Sequence, residues 1–346
     1  MSDIKLDFPG IQVHLTKHEI EQIVDAIISA KTLTMGPRLE AFEDDFARYL
    51  GSKYAFGIAN GTAALELAGQ ILNVKQGDEV ILPAHTFTAT ALPFLRRNAK
   101  LVFADIDPKT FVMDVNDVRR KITKHTRVVV PVHLYGLPVN MLDLVRLANE
   151  YGLSIVEDCA QSPGASFNNQ KVGTFGDFGC FSFHSQKNIT TLGEGGMIVT
   201  NNDEYAEKIL GLRKIGQRPF ASQQKYWLPA MSNIIEAVPG VVPNNFALGE
   251  IQALAGNLIL RRLDRQILMR YKMYEKITNS LLHHKELVFQ HFPKECLSAI
   301  HLLPARFNGQ IFSKTRDDLI ELLYEKHGGE GAVREVCDLI LKMHYR

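Results

Sequence analysis

From about residue 53 onward, short apolar runs alternate with segments of helical length. Six runs rich in β-forming residues lie at 79–82, 101–104, 128–132, 153–156, 179–183 and 196–200. Helix-length segments, such as 139–151 and 203–215, separate most of them. Continuous apolar strands joined by helices favour an α/β fold with a mostly parallel central sheet that is covered on both faces. In such sheets, ligands bind at the carboxyl ends of the strands.

The charge balance excludes some classes of partner. The 39 basic and 38 acidic residues nearly cancel, and no long basic run occurs, so we expect no nucleic-acid partner. We also expect no membrane partner, because no apolar run approaches the length of a membrane span. The first residues lack the pattern of a signal peptide, which predicts a cytoplasmic protein.

The cysteines and histidines do not predict a metal site. The four cysteines show neither CxxC spacing nor a dense framework, which argues against both a zinc site and a disulfide scaffold. His283 and His284 have no ligand spacing, and we expect both at the surface.

The two ends of the chain depart from the alternating pattern. Residues 15–50 look helical and polar, whereas 217–245 form a long stretch with features of a functional loop. Residues 248–282 read as one long amphipathic helix, and a smaller α+β region follows. We therefore predict a large domain over residues 1–248 and a short or altered small domain over residues 249–346.

The stretch Asn60-Gly61-Thr62-Ala63 reads as a turn that opens a helix. The N-terminus of a helix presents free N–H groups and a partial positive charge, which suit a phosphate group. No Gly-Lys-Ser/Thr sequence occurs here, so the stretch is not a nucleoside triphosphate P-loop. Taken alone, it is also typical of a plain N-cap.

Two further strand ends carry candidate ligand-binding residues. Asp158 and Gln161 follow the run 153–156, where a carboxylate could pair with a cationic ring nitrogen and an amide could bond a ring substituent. Phe87 follows the run 79–82 and could stack on an aromatic ligand. Each residue alone has an ordinary alternative, since Asp158 could cap a helix and Phe87 could belong to the core.

Lys187 lies in a polar turn directly after the apolar run 179–183, before the glycine-rich loop around Glu194. A desolvated lysine amine loses its proton readily and attacks carbonyl groups, which suits a Schiff base. An exposed loop lysine is the alternative. Together with the phosphate cradle, the aromatic residue and the carboxylate, however, Lys187 completes the four groups that pyridoxal 5′-phosphate (PLP) requires.

At this point the sequence resembles the DegT/DnrJ/EryC1/StrS family of PLP-dependent sugar aminotransferases. The resemblance runs from about residue 10 to residue 282. The matching stretches, in chain order, are 60–65, 86–91, 131–136, 156–161, 181–187 and 193–196. The resemblance implies an aspartate-aminotransferase-like (type I PLP) fold and a homodimer whose subunits share active sites.

The resemblance also implies a role for each site residue. Lys187 would form the Schiff base with PLP, and Asp158 would pair with the pyridine nitrogen. The residues expected around the rest of the cofactor are Gly61, Thr62, Ala63 and Ser182 at the phosphate, Phe87 over the ring, Gln161 near the ring oxygen, and Asn245 from the partner subunit.

The implied reaction moves an amino group from an amino acid, most often glutamate, to a keto or aldehyde sugar. The sugar would be linked to a nucleotide, as in amino-sugar and surface-polysaccharide biosynthesis, and Glu194 could contact its hydroxyl groups. Alternatives are a sugar dehydratase of the same family, in which histidine replaces the lysine, and a PLP-binding regulatory protein without turnover. A Rossmann oxidoreductase is disfavoured because no G-x-G-x-x-G follows the first strand.

The sequence departs from the family pattern in two places. Ala247 stands where the family has an arginine after the Asn245 position, which puts any substrate contact of that arginine in doubt. Beyond about residue 326, the expected substrate-side segment rich in His, Tyr and Pro is replaced by a glycine-rich stretch and a helical run.

Overall fold

The structure of the chain is a computed structural model, and it describes residues 13–216 and 237–308. The departure beyond residue 326 lies outside these residues, as does most of the predicted loop at 217–245.

The described residues form nine α-helices and two short 3₁₀ turns. The helices are α1 (Lys17–Ser29), α2 (Pro37–Leu50), α3 (Gly61–Ile71), α4 (Leu92–Arg96), α5 (Val115–Lys121), α6 (Met141–Tyr151), α7 (Asp203–Arg213), α8 (Glu250–Leu260) and α9 (Leu263–Ser280). The 3₁₀ turns span Thr88–Thr90 and Leu134–Gly136.

Twelve strands alternate with or follow these helices. Seven of them build the central sheet: β1 (Tyr54–Ile58), β2 (Glu79–Pro83), β3 (Lys100–Ala104), β4 (Thr126–Val129), β5 (Ser154–Asp158), β8 (Phe178–Ser182) and β9 (Gly196–Thr200). The others form two small sheets and are β6 (Ser166–Phe167), β7 (Gln170–Lys171), β10 (Leu287–Phe289), β11 (Cys296–Leu297) and β12 (Ala305–Phe307).

The central sheet has the order β1-β9-β8-β5-β4-β2-β3. Its neighbours are parallel except at β9, which pairs antiparallel with both β8 and β1. The predicted mostly parallel sheet is therefore confirmed. The prediction identified six of the seven strands and did not name β1.

Both faces of the sheet are buried, as the continuous apolar strands predicted. Along β9, Ile198 belongs to a core cluster that also holds residues of α3 and α7. Its neighbours Met197 and Val199 belong to a second cluster with residues of α2 and α8. Because successive strand residues point to opposite faces, a strand that is apolar throughout must lie between two helical layers.

The region after the sheet differs from the prediction in its helices and in the burial of His284. Residues 248–282 form two helices, since α8 ends at Leu260 and α9 begins at Leu263. Helix α8 also packs against α1 and α2, so the start of the predicted small domain touches the amino-terminal helices. His284, expected at the surface, is buried and lies 2.7 Å from a carboxylate oxygen of Glu286.

Within residues 13–216 and 237–308, no helix combines the length and the apolar character needed to cross a lipid bilayer.

Candidate active site

A cavity of about 500 Å³ opens at the carboxyl ends of β5 and β8, beside the first turn of α3. Most of the candidate residues line it, namely Gly61, Thr62, Phe87, Asp158, Gln161, Ser182, Lys187 and Glu194. Residues from five of the matching stretches of sequence thus meet at one edge of the sheet, where parallel α/β proteins bind ligands.

The amino end of α3 forms one wall of this cavity. The Asn60 side chain caps the helix and accepts a hydrogen bond of 2.8 Å from the N–H of Ala63. The first N–H groups of a helix have no partner inside the helix, so those of Gly61 and Thr62 remain for a ligand. A Cβ atom on Gly61 would lie 2.9 Å from the Cβ of Ser182. Glycine at position 61 therefore lets this helix end approach the Ser182 hydroxyl.

Asp158 lies at the last position of β5, and only 6% of its surface is exposed. Its Oδ2 accepts a hydrogen bond of 2.7 Å from the Thr90 hydroxyl, and its Oδ1 accepts one of 3.1 Å from the N–H of Ala160. Thr90 is itself fully buried. These bonds fix the carboxylate at the cavity, and a buried carboxylate there favours a cationic partner.

Glu157 and His133 form a second buried pair directly behind Asp158. The Glu157 carboxylate accepts hydrogen bonds from the N–H groups of Gly173, Phe175 and Gly176 at 2.7–2.8 Å. His133 Nδ1 accepts a bond from the N–H of Val139, so the proton lies on Nε2 and is donated to Glu157 over 3.1 Å. This bonding joins β5 to the segment that precedes β8 and to the residues that follow β4.

Cys159 lies close enough to that pair for its sulfur, a ring nitrogen of His133 and a carboxylate oxygen of Glu157 to lie within 4.8 Å of one another. Burial and the charges of Glu157 and Asp158 raise the pKa of the Cys159 thiol well above its usual value. Both ring nitrogens of His133 are already engaged in hydrogen bonds, Nδ1 with the N–H of Val139 and Nε2 with Glu157. The hydrogen bonds account for this cluster without a metal ion.

Lys187 follows β8 in a turn whose backbone is held by a hydrogen bond of 2.9 Å from its N–H to the carbonyl of His184. Burial lowers the pKa of the Lys187 amine below its usual value, and the negative charge of Asp158 opposes part of that shift. A partly desolvated amine in a cavity is a candidate nucleophile and base.

A hydrogen bond to its side-chain oxygen holds Gln161 in place. That oxygen accepts a hydrogen bond of 2.6 Å from the N–H of Tyr135, a residue with a positive φ of 61°. The Tyr135 hydroxyl in turn lies 3.0 Å from His85 Nε2. Because the Gln161 oxygen is occupied, its amide nitrogen is the part of the side chain that can donate to a ligand.

The outer wall of the cavity carries Phe87 and Glu194, and both are open to solvent. The exposed fraction is 73% for Phe87 and 64% for the Glu194 side chain. Nε2 of His184 lies 3.8 Å from a carboxylate oxygen of Glu194. Neither side chain is fixed by a short hydrogen bond of its own among the described residues.

Two candidate residues do not line the cavity. Ala63 is buried and gives its N–H to the Asn60 cap. Asn245 is exposed and forms an isolated backbone bridge with Lys214. The expected role of Asn245 is in a partner subunit's site, so it stays a prediction.

Three further residues at the site carried no role in the sequence-based prediction. Thr90 holds Asp158, Asn188 directly follows Lys187, and His301 lines the cavity from beyond α9. Thr90 lies within the matching stretch 86–91 and Asn188 directly follows the stretch 181–187, which was the available signal. His301 lies more than a hundred residues beyond Lys187 along the chain, so no local pattern linked the two.

Comparisons with known proteins identify the family of the chain. The model of the DegT/DnrJ/EryC1/StrS aminotransferase family matches residues 14–333. An uncharacterized protein of Methanocaldococcus jannaschii is 35% identical over 329 residues, covering 93% of this chain and 82% of that protein. The GDP-perosamine synthase of Vibrio cholerae is 37% identical over 259 residues, covering 75% of this chain but only 66% of that enzyme.

Solved structures of this family share the fold. Escherichia coli GDP-4-keto-6-deoxy-D-mannose-3-dehydratase with bound hydrated PLP superposes with a TM-score of 0.83 at 27% identity, covering 93% of this chain and 84% of that one. The aspartate-aminotransferase-like fold expected from the sequence is thereby confirmed. With its family model matched over most of its length, the chain belongs to the DegT/DnrJ/EryC1/StrS aminotransferase family.

Proposed function

We propose that this chain is a PLP-dependent sugar aminotransferase that moves an amino group from glutamate to a keto or aldehyde sugar linked to a nucleotide. The observation that carries the proposal is that Lys187 and Asp158 line one cavity at the carboxyl edge of the sheet. Their pairing supplies both a nucleophilic amine and a carboxylate for a ring nitrogen.

The described residues fit PLP from end to end. The free N–H groups of Gly61 and Thr62, with the Ser182 hydroxyl, provide donors for a phosphate beside the close approach of α3 to β8. Phe87 offers an exposed aromatic face, and the Gln161 amide nitrogen is a donor for a ring oxygen. Ala63 remains a predicted contact, although its N–H is already bonded.

When bound, the cofactor supplies an electron sink for the reacting carbon. Asp158 holds a proton on the ring nitrogen, because its buried carboxylate needs a cationic partner and Thr90 and Ala160 keep it in place. The Lys187 amine, with its pKa lowered by burial, would take a proton from the α-carbon of the amino donor and return it to the cofactor carbon C4′, on the other side of the amino nitrogen.

The sugar would occupy the outer part of the cavity. Glu194 is exposed there beside His184, and its carboxylate can accept hydrogen bonds from sugar hydroxyl groups. The synthase name of the Vibrio cholerae relative supports a nucleotide-linked amino sugar as product and a place in amino-sugar biosynthesis. We propose that the reaction takes place in the cytoplasm.

A homodimer with shared active sites would complete the phosphate end. Asn245 is exposed and lies outside the cavity of its own chain. That position is compatible with an Asn245 that reaches the phosphate in a second copy. Ala247 cannot supply the family's arginine contact, so the sugar or its nucleotide must be held by other groups.

A sugar dehydratase is the second candidate, and the likeness to the Escherichia coli dehydratase favours it. The residue at position 187 discriminates the two functions, because the dehydratases of the family carry histidine where this chain has lysine. Lysine at this position favours transamination.

The test is the visible absorbance of the purified protein with PLP, before and after addition of glutamate. We expect a band that depends on Lys187 and is lost with glutamate, while the released keto acid is detected separately. The band should be absent from Lys187→Ala and retained in the control Lys124→Ala, whose side chain is exposed. A band that responds to no amino donor would leave a binding protein without turnover, and no band at all would refute the proposal.

A further inference from the structure

The segment Ala299–His301 is bound tightly against the turn that holds Gln161. The N–H of Ala299 donates to the carbonyl of Gly136, and the N–H of His301 donates to the carbonyl of Tyr135, both over 2.9 Å. A Cβ atom on Gly136 would lie 2.8 Å from the backbone nitrogen of Ile300. Glycine at position 136, with a φ of 98°, is therefore what allows this contact.

In this contact, Ile300 adopts a strained backbone conformation. Its φ is 45°, a value that a β-branched side chain rarely adopts. Arg270 of α9 stabilises the turn, since its guanidinium donates to the carbonyls of Ile300 and His301 at 3.2 and 3.3 Å. Strain of this kind persists where the surrounding structure fixes it, and it clusters at functional sites. Here the strained residue directly precedes a side chain that lines the cavity.

Asn188 connects this segment to the residue after Lys187. Its Nδ2 donates to the carbonyl of Ala299 over 2.9 Å, so its Oδ1 is the acceptor. His301 Nδ1 lies 3.1 Å from that Oδ1 and must therefore carry the proton. In the neutral imidazole, Nε2 is then left with a lone pair, and it makes no hydrogen bond with residues 13–216 or 237–308.

The His301 ring is held in the neutral form. Only 6% of the residue is exposed, and burial together with the charges of Lys187 and Arg270 lowers the pKa of His301 to about 3. At neutral pH the ring therefore offers an acceptor to the cavity that Lys187 also lines.

We propose that His301 is a positioning residue for Lys187, whose ammonium form donates a hydrogen bond to His301 Nε2. The bond would hold the amine in place each time it carries a proton between two carbon atoms, so the inference rests on the proposed transamination. Asn188 fixes the tautomer that makes the bond possible.

The test compares His301→Asn with His301→Gln. The asparagine amide can replace Nδ1 toward Asn188 but cannot reach the position of Nε2, whereas the glutamine amide extends to it. In the cofactor-free full chain, the pKa of Lys187 is measured from the pH dependence of acetic anhydride labelling, read by mass spectrometry of the Lys187 peptide. Because the ammonium form loses an acceptor in His301→Asn, we expect labelling below the pKa to be about three to ten times faster.

Turnover provides the second measurement. We expect kcat of His301→Asn to fall about ten- to a hundredfold with little change in KM, and His301→Gln to recover part of the loss. The exposed His125→Gln serves as the control, and the thermal midpoint of every variant is recorded. If His301→Asn labels like the wild type, His301 only anchors its segment and the proposal is wrong. The labelling needs no transamination, so this outcome is distinct from failure of the proposed function.

Discussion

The cavity wall built by β5 is buried and hydrogen-bonded, whereas the wall that carries Phe87 and Glu194 is open to solvent. On the first wall, Asp158 and Glu157 each accept bonds from side chains or backbone N–H groups of other elements. On the second, the two side chains are 73% and 64% exposed.

From this difference we infer that the buried wall binds the cofactor and the exposed wall binds the sugar. A site that must hold one cofactor in one orientation gains from groups that are fixed before binding. A site that accepts a flexible sugar can use exposed groups that are ordered only by the ligand. The cofactor side should therefore be sensitive to substitutions that leave side-chain volume unchanged, and the sugar side should be tolerant.

The largest effect is expected for Asp158→Asn, which keeps the shape of the buried wall but removes its charge. Without a carboxylate at the ring nitrogen, kcat should fall about a hundredfold to a thousandfold, measured with glutamate and a keto sugar. Because the charge of Asp158 raises the pKa of Lys187, the same variant should lower that pKa further in the cofactor-free chain. A variant with wild-type turnover would remove Asp158 from the mechanism.

Glu157→Gln tests whether the wall depends on the layer behind it. The new amide nitrogen would face N–H donors that now bond to a carboxylate oxygen. We therefore expect the free energy of unfolding, measured by urea denaturation, to fall by about 2–3 kcal/mol. Glu150→Gln, which loses an exposed pair with Arg119, is the control and should leave the free energy of unfolding nearly unchanged. Equal losses in the two variants would contradict the distinction between buried and exposed bonding.

Phe87→Ala addresses the open wall. The ring is mostly exposed, so the thermal midpoint should change little, while the affinity for PLP should fall about fivefold to tenfold through loss of stacking. Fluorescence titration of the cofactor-free protein with PLP measures the affinity. A large loss of stability with unchanged affinity would assign Phe87 to the core instead.

The smallest effect is expected for Glu194→Gln. The amide keeps one hydrogen-bond acceptor for the sugar, so KM for the sugar should rise only about twofold to fivefold, with KM for glutamate unchanged. Steady-state kinetics with each substrate varied separately distinguishes the two. A rise confined to the KM for glutamate would place the donor, rather than the sugar, beside Glu194.

The sequence was sufficient to predict the site residues that directly follow the predicted strands. Asp158 and Lys187 each lie within a few residues of a predicted apolar run, so the rule that ligands bind at the carboxyl ends of strands located them. Gly61 was located differently, from the turn that opens a helix. Neither signal located His301 or the bond between Asn188 and Ala299, because these depend on how a distant segment packs. The break between α8 and α9 was also missed, since the apolar spacing continues across it.

The reversal of β9 has a consequence for the order of folding. Because β9 returns antiparallel to β8, the turn that carries Lys187 and Glu194 closes between Ser182 and Gly196, two residues that pair directly. Pairing of Tyr54 with Thr200, by contrast, closes a much longer loop, because five other strands of the central sheet lie between these residues along the chain. Closing a short loop costs less conformational entropy than closing a long one. The segment that carries the reactive amine can therefore form as an early local hairpin, and its helix, carboxylate and imidazole partners arrive later from remote parts of the chain.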